Sequence, residues 1–281
     1  MHDLDQTQLR AAVERGAAKF DAADFLCAET RVRLLERLTL MRLEPAAVLD
    51  LGGGTGAGVN ELQMQYPEAH VVNLDWSPAM LEQAEQQDRV CANAQRLPFA
   101  DASFDLVVAN LTLPGCDLPE NVFAEANRVL RMPGLLLFNT VGPDTLKQIR
   151  KAWSAVDPRP RVHDFVDMHN IGDALVRAGF REPVMDVEKM TITYRDIARM
   201  VEDLRVLAAT NRHPARPRGL TTPGLWSRFV AAADARRNSA TLLEVSVELI
   251  TGQAWTGPEA RGVQMADGLA SFPIDRLRGD R

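Results

Sequence analysis

The chain has 281 residues, of which 46% are hydrophobic and 25% charged, with a formal net charge of −6. That balance fits an ordinary globular protein with one large core, and the negative charge argues against a general nucleic-acid binder, whose affinity comes from neutralised phosphates. The polar start MHDLDQTQLR, the lack of any apolar run near the ~20 residues of a bilayer span, and three scattered cysteines without a CxxC pair (Cys27, Cys91, Cys116) point to the reduced cytoplasm.

In chain order, residues 9–40 carry helically spaced leucines, and Pro45 closes a predicted N-terminal helical segment over 1–45. The run 46–51 (AAVLDL) reads as a buried parallel strand, followed by a helix over 56–65 and a second strand over 70–75. Ser77-Pro78 starts the next helix, with Pro in the first turn where its missing N–H costs nothing. A short third strand at 90–92, a fourth at 103–110, a helix over 121–130 and a fifth strand at 134–140 continue the alternation. This pattern predicts a doubly wound α/β fold, a seven-stranded, mostly parallel sheet with helices on both faces. Further helices are expected at 143–155, 171–178, 196–209 and 225–236, and further strands at 184–194 and 244–251. The last strand alternates apolar and polar residues as an antiparallel edge strand would. The predicted main domain is 46–256, with a helical lid insertion at 194–237 between strands six and seven, and 257–281 is a charged, Gly-rich tail.

The glycine cluster after the first strand carries the clearest chemistry. Asp50-Leu51-Gly52-Gly53-Gly54-Thr55-Gly56 puts glycine where a backbone turns sharply and approaches a ligand closely. Its spacing, an acidic residue and then G-x-G-x-G, is not the G-x-G-x-x-G of a pyrophosphate loop. It resembles the first motif of class I methyltransferases. The resemblance implies S-adenosylmethionine as cofactor and no metal, with the cofactor's amino-acid moiety against Asp50, Gly52, Gly54 and Gly56. Asp75, ending the second strand, then suits both ribose hydroxyls. Trp76 suits the adenine face, Asn93 and Ala94 the adenine edge, and Asn110 the sulfonium region.

From about Lys19 to Trp255 the chain also resembles the malonyl-[acyl-carrier protein] O-methyltransferases of biotin synthesis. GPDTL and DMHNIGDALVRAGF are the narrow matches, whereas LPFADASFDLVVANLTL is shared by many methyltransferases. This resemblance implies methylation of the free carboxylate of a malonyl thioester on acyl-carrier protein. Such a carboxylate is ionised at neutral pH, so no general base is implied; His163 and His169 are read as solvated or capping residues. Arg205, Asn211 and Asn110 are the candidates for holding the acceptor, and the two lid helices are expected to cover the methyl donor. Arg212, Arg216 and Arg218 form a candidate docking patch for the acidic carrier protein. The chain departs from the family pattern at Asn93, Pro114, Gly115, Leu135 and Gln253. Asp203-Leu204-Arg205 and Asn211 are also similar to methyltransferase-fold assembly factors of respiratory complex I that hydroxylate arginine. A catalytically silent binding scaffold is the third alternative.

Overall fold

The computed structural model describes residues 5–85, 88–257, 264–266 and 269–271. Three N-terminal helices, α1 (Gln6–Gly16), α2 (Phe20–Ala23) and α3 (Phe25–Glu36), precede the sheet. The parallel part follows as β1 (Ala47–Leu51), α4 (Ala57–Gln65), β2 (His70–Asp75), α5 (Pro78–Leu81), β3 (Arg89–Cys91), β4 (Phe104–Asn110), α6 (Pro119–Val129) and β5 (Leu130–Val141). Then come α7 (Lys147–Ser154), α8 (Met168–Arg177), β6 (Arg181–Tyr194), α9 (Ile197–Val206), α10 (Pro223–Asp234) and β7 (Leu243–Trp255). The predicted tail lies largely outside the described residues, apart from Gly257 and a short antiparallel pair, β8 (Gln264–Ala266) and β9 (Leu269–Ser271). Among the described residues no helix is long and apolar enough to cross a membrane.

Strand order is β3-β2-β1-β4-β5-β7-β6, with β3 to β5 mutually parallel and β7 antiparallel to both its neighbours. The central strands are apolar at nearly every position because both faces are covered. Leu49, Val107, Leu136 and Phe138 pack under α6 and α8, while Val48, Leu106, Leu135 and Leu137 pack under α3 and α4. The period of two sends successive residues to opposite layers.

One expectation is corrected. The strand predicted at 244–251 as an edge is interior, inserted between β5 and β6, and β6 is the edge. The polar positions of β7 that suggested solvent are instead engaged by the β5–α7 connection and by α7 itself. Ser246 Oγ accepts from Gln148 Nε2 at 2.7 Å, and Glu248 Oε2 accepts from the Asp144 N–H at 2.6 Å.

The order of strand addition reverses between β1 and β4, the topological switch at which open α/β sheets bind ligands beyond the strands' carboxyl ends. A buried polar network fastens α3 there. Asn139 Nδ2 donates to Thr30 O at 3.1 Å and to Asn110 Oδ1 at 2.8 Å, and Asn139 Oδ1 accepts from the Leu111 N–H at 2.7 Å. Thr30 Oγ1 also donates to Asn110 Oδ1, and Asn110 Nδ2 donates to Cys27 O, both at 3.0 Å. Replacing Asn139 by Leu leaves buried partners unsatisfied at ~1–3 kcal/mol each. Asn139→Leu should therefore lower stability in urea unfolding by about 3 kcal/mol.

Candidate active site

A cavity of about 320 Å³ opens at the carboxyl ends of β1, β2 and β4. Its floor comes from Asp50, Gly52, Gly54, Asp75, Trp76, Asn93, Ala94 and Asn110. Eight of the nine residues predicted for the cofactor are thus brought together. Gly56 is the exception: it takes the left-handed conformation (φ 85°) that starts α4 and does not line the cavity.

Two carboxylates dominate this floor. Asp75 is buried; its Oδ2 accepts from the Gly54 N–H at 3.2 Å and its Oδ1 from the Ser77 N–H at 2.8 Å. Burial raises its pKa, and the N–H groups of Ser77, Gly54 and Trp76 pull it back. The lone pairs not used by these N–H groups are available to a ligand diol. Asp50 is 3% exposed, and its Oδ2 is buried with no hydrogen-bond partner. Burial pushes its carboxyl up to about 7; nearby Arg31 lowers it, while Asp75 and Glu61 raise it. A buried carboxylate without a partner is costly, and a ligand ammonium would remove that cost.

The glycines play different parts. A Cβ at Gly52 would lie 2.4 Å from Thr112 Oγ1, so that glycine serves the close packing of the turn after β4. A Cβ at Gly54, whose φ is +56°, would meet only Met80 Cε at 3.0 Å and would otherwise occupy the cradle beside Asp75. The remaining side chains hold their own turns. Asn93 Oδ1 accepts from the Gln95 N–H at 2.8 Å, leaving its amide N–H groups and second lone pair toward the cavity. Asn110 is committed to the network that fastens α3, which makes it a positioning residue for the wall.

The walls and roof depart from the sequence reading. α9 supplies Met200, Asp203 and Leu204 to the cavity, as a lid helix should. The second predicted lid helix, α10, does not line it; Phe229 stacks on Trp153 of α7 at 4.0 Å instead. A further wall comes from the N-terminal helical segment through Leu9, Phe20, Asp24, Phe25 and Arg31, for which sequence reasoning predicted no role in the site. Arg31 donates to Glu61 at 3.0 Å and to Asp24 at 3.4 Å, so it reaches across the glycine loop to α4.

On the acceptor side the predicted residues are redistributed. Arg205 is exposed on α9 and does not line the cavity. Asn211 is used within its loop: its Nδ2 donates to Pro160 O and its Oδ1 accepts from the His213 N–H. The proposed docking patch does not exist as a patch. Arg216 is pinned by Asp5 at 2.9 Å and Gln8 at 2.7 Å, Arg212 is buried, and Arg218 alone of the three is exposed.

Arg212 and His163, in contrast, both line the cavity. Arg212 Nε is buried without a partner, and no carboxylate among the described residues lies within ion-pair reach of its guanidinium. Its pKa is lowered by burial first, then by Arg216 and Arg15, while Asp5, which is paired with Arg216, raises it. His163 Nε2 is also buried without a partner, so its solvated or capping reading fails. Burial, aided by Arg150 and Arg212, lowers its pKa to about 4, so the ring is neutral at working pH. The apolar company of His163 (Val162, Phe165, Val166) was the signal available in the sequence; Arg212 had none beyond its place in a cationic loop. His169 is exposed at the start of α8, as expected. Gln253 lies in β7 opposite Leu137, away from the cavity, and Leu135 is core.

Residues 49–138 match the methyltransferase domain family, which defines the class of protein. The solved Haemonchus contortus phosphoethanolamine N-methyltransferase 2 in complex with S-adenosyl-L-methionine shares the fold. It is 17% identical with a TM-score of 0.54, over 87% of this chain and 57% of that one. Much nearer in sequence is the malonyl-[acyl-carrier protein] O-methyltransferase of Laribacter hongkongensis, 42% identical over 272 residues, covering 92% of this chain and 91% of that protein. The enzyme of the same name from Gallionella capsiferriformans is 40% identical over 266 residues, covering 90% and 91%. The chain belongs to the malonyl-[acyl-carrier protein] O-methyltransferase family.

Asp50 makes cofactor affinity depend on pH. Protonation below about 7 removes the charge that would face a ligand ammonium, so affinity for S-adenosylmethionine should fall as pH drops, by up to about tenfold per unit. Calorimetry from pH about 5.5 to about 7.5 tests this, and Asp50→Asn should flatten the profile. Gly54→Val, which fills the cradle, should weaken binding at least ~10-fold at every pH.

Proposed function

We propose that this protein transfers a methyl group from S-adenosylmethionine to the free carboxylate of a malonyl thioester carried by acyl-carrier protein, in the cytoplasm and on the route to biotin. The observation that carries the acceptor's identity is Arg212, a buried guanidinium turned to the cavity without an anionic partner. A buried cation in that state costs several kcal/mol unless a ligand supplies the countercharge. A small carboxylate fits that need.

When bound, the cofactor supplies an electrophilic methyl on a sulfonium centre. Asp75 would accept from its ribose hydroxyls, Asp50 would face its ammonium, and Trp76 with Ala94 and Asn93 would border the base. Arg212 would fix the acceptor by a charge-assisted contact to one carboxylate oxygen, leaving the other to attack along the line of the breaking bond. The guanidinium withdraws some electron density from the nucleophile, but orientation in a closed site outweighs this. Charge is lost toward the transition state, which favours a site shielded from water by α9 and the N-terminal helices. Once methylated, the acceptor no longer carries the anion that Arg212 holds, which favours release of the ester.

No general base is required for an ionised carboxylate, and the neutral His163 adds a polar group without a charge. Methylation of the parent protein's acceptor is read by intact mass as the gain of one methyl group on malonyl-acyl-carrier protein. Absence of that gain would overturn the reading. Arg212→Gln should lower kcat/KM by about 10²-fold or more while leaving cofactor affinity intact, because it removes one partner of a desolvated charge pair. Arg205→Ala, at an exposed position outside the cavity, should change neither quantity.

A further inference from the structure

A second chamber of about 380 Å³ adjoins the first. It lies between the turn after β4, the end of β5, the segment before α8 and the first turns of α8. Pro114, Cys116, Val141, His163 and Phe165 line both chambers, so the two adjoin across that wall. His163, with its buried and unpartnered Nε2, stands at the junction.

Carboxylates line both chambers, but the buried guanidinium of Arg212 belongs to the first alone. The second is lined by Asp117, Glu120, Asp164 and Asp167, against Arg177 and His213, and Arg177 is paired with Glu120 at 3.2 Å. Asp167 is also occupied, accepting from the N–H groups of His169 and Asn170 at the start of α8. Between these carboxylates lie the apolar Val166, Ile171 and Ala174. Such a surface disfavours anions and suits a neutral chain in which N–H donors alternate with methylenes. In the first chamber the buried Nε of Arg212 has no partner. A molecule with an anionic tip and a neutral amide stem is therefore oriented tip toward Arg212 and stem among the carboxylates.

We infer that the second chamber binds the neutral, amide-bearing stem of the thioester, a pantetheine-type arm, which passes His163 to present its carboxylate to Arg212. The phosphate end of such an arm stays outside, where the acidic lining does not repel it. The identity of the acyl tip rests on the methyl-transfer reading; the site for the stem rests on the chamber alone.

The test uses the full chain loaded with S-adenosylhomocysteine and pantetheine itself as probe. Pantetheine binding is followed by ligand-observed NMR, for the parent and for Asn170→Trp, which puts an indole at the exposed rim of the chamber. The expected result is binding by the parent and its loss in the variant. In parallel, KM is compared for the malonyl thioesters of pantetheine and of ethanethiol. Asn170→Trp should raise the ratio of the first to the second by about tenfold, the equivalent of ~1.4 kcal/mol of stem contacts. Glu120→Trp on the facing helix α6 repeats the test should the first variant fail to fold. No pantetheine binding by the parent, or equal binding and an unchanged ratio in a folded variant, overturns the inference. Should the parent bind pantetheine, lose it on substitution, and yet methylate neither thioester, the chamber assignment stands and the methyl-transfer reading falls.

Discussion

Two carboxylates buried side by side at the ends of β1 and β2 set the constraint that organises the rest of the site. Burial raises the pKa of both, and Asp75 pushes that of Asp50 up further. Asp75 is stabilised from within, by N–H groups of the glycine loop and of the turn that starts α5. Asp50 has no such donors and depends on Arg31, which comes from the N-terminal segment rather than from the sheet. The cavity is therefore incomplete without α3. The Asn110–Asn139–Thr30 network, Arg31 and the contact of Thr55 Oγ1 with Asp21 at 2.7 Å all tie that segment to the loops at the strand ends. The result is a cavity with Asp50 and Asp75 at its floor and Arg31 and Arg212 among its walls.

The floor was legible in the sequence and much of the roof was not, for a physical reason. Residues at the carboxyl ends of parallel strands are placed by a repeating βα unit, so the spacing of Asp50, Asp75, Asn93 and Asn110 converts directly into position. The acceptor side is built by loops and insertions, where spacing says little about direction. Arg205 and Arg212 illustrate this: both are arginines near the end of one helix, yet one faces solvent and the other the cavity. Arg216 illustrates a second limit. A cation in a Pro-rich loop reads as solvated, but Asp5 and Gln8, more than 200 positions away, take it up. The misread edge strand has the same origin, since the partners of Ser246 and Glu248 lie in and just before α7 and leave no local signature.

The departures at Pro114 and Gly115 can be weighed on the same terms. The turn that bears them is held by its backbone and by Thr112, not by the side chains that differ. Thr112 Oγ1 donates to Leu51 O at 2.6 Å and packs on Gly52, which joins the turn to the end of β1. Gly115 donates to Thr112 O at 3.1 Å and its own carbonyl accepts from Gln6 Nε2 at 3.2 Å, which joins the turn to α1. A Cβ at Gly115 would reach only Leu9 Cδ2 at 3.7 Å, so a larger residue there would extend toward α1 and narrow the cavity from that side. The small pair at 114–115 thus leaves room in the cavity beside α1, and the frame at the end of β1 does not depend on these two side chains. A larger side chain on this turn would take up that room, while Thr112 would keep its bond to the end of β1.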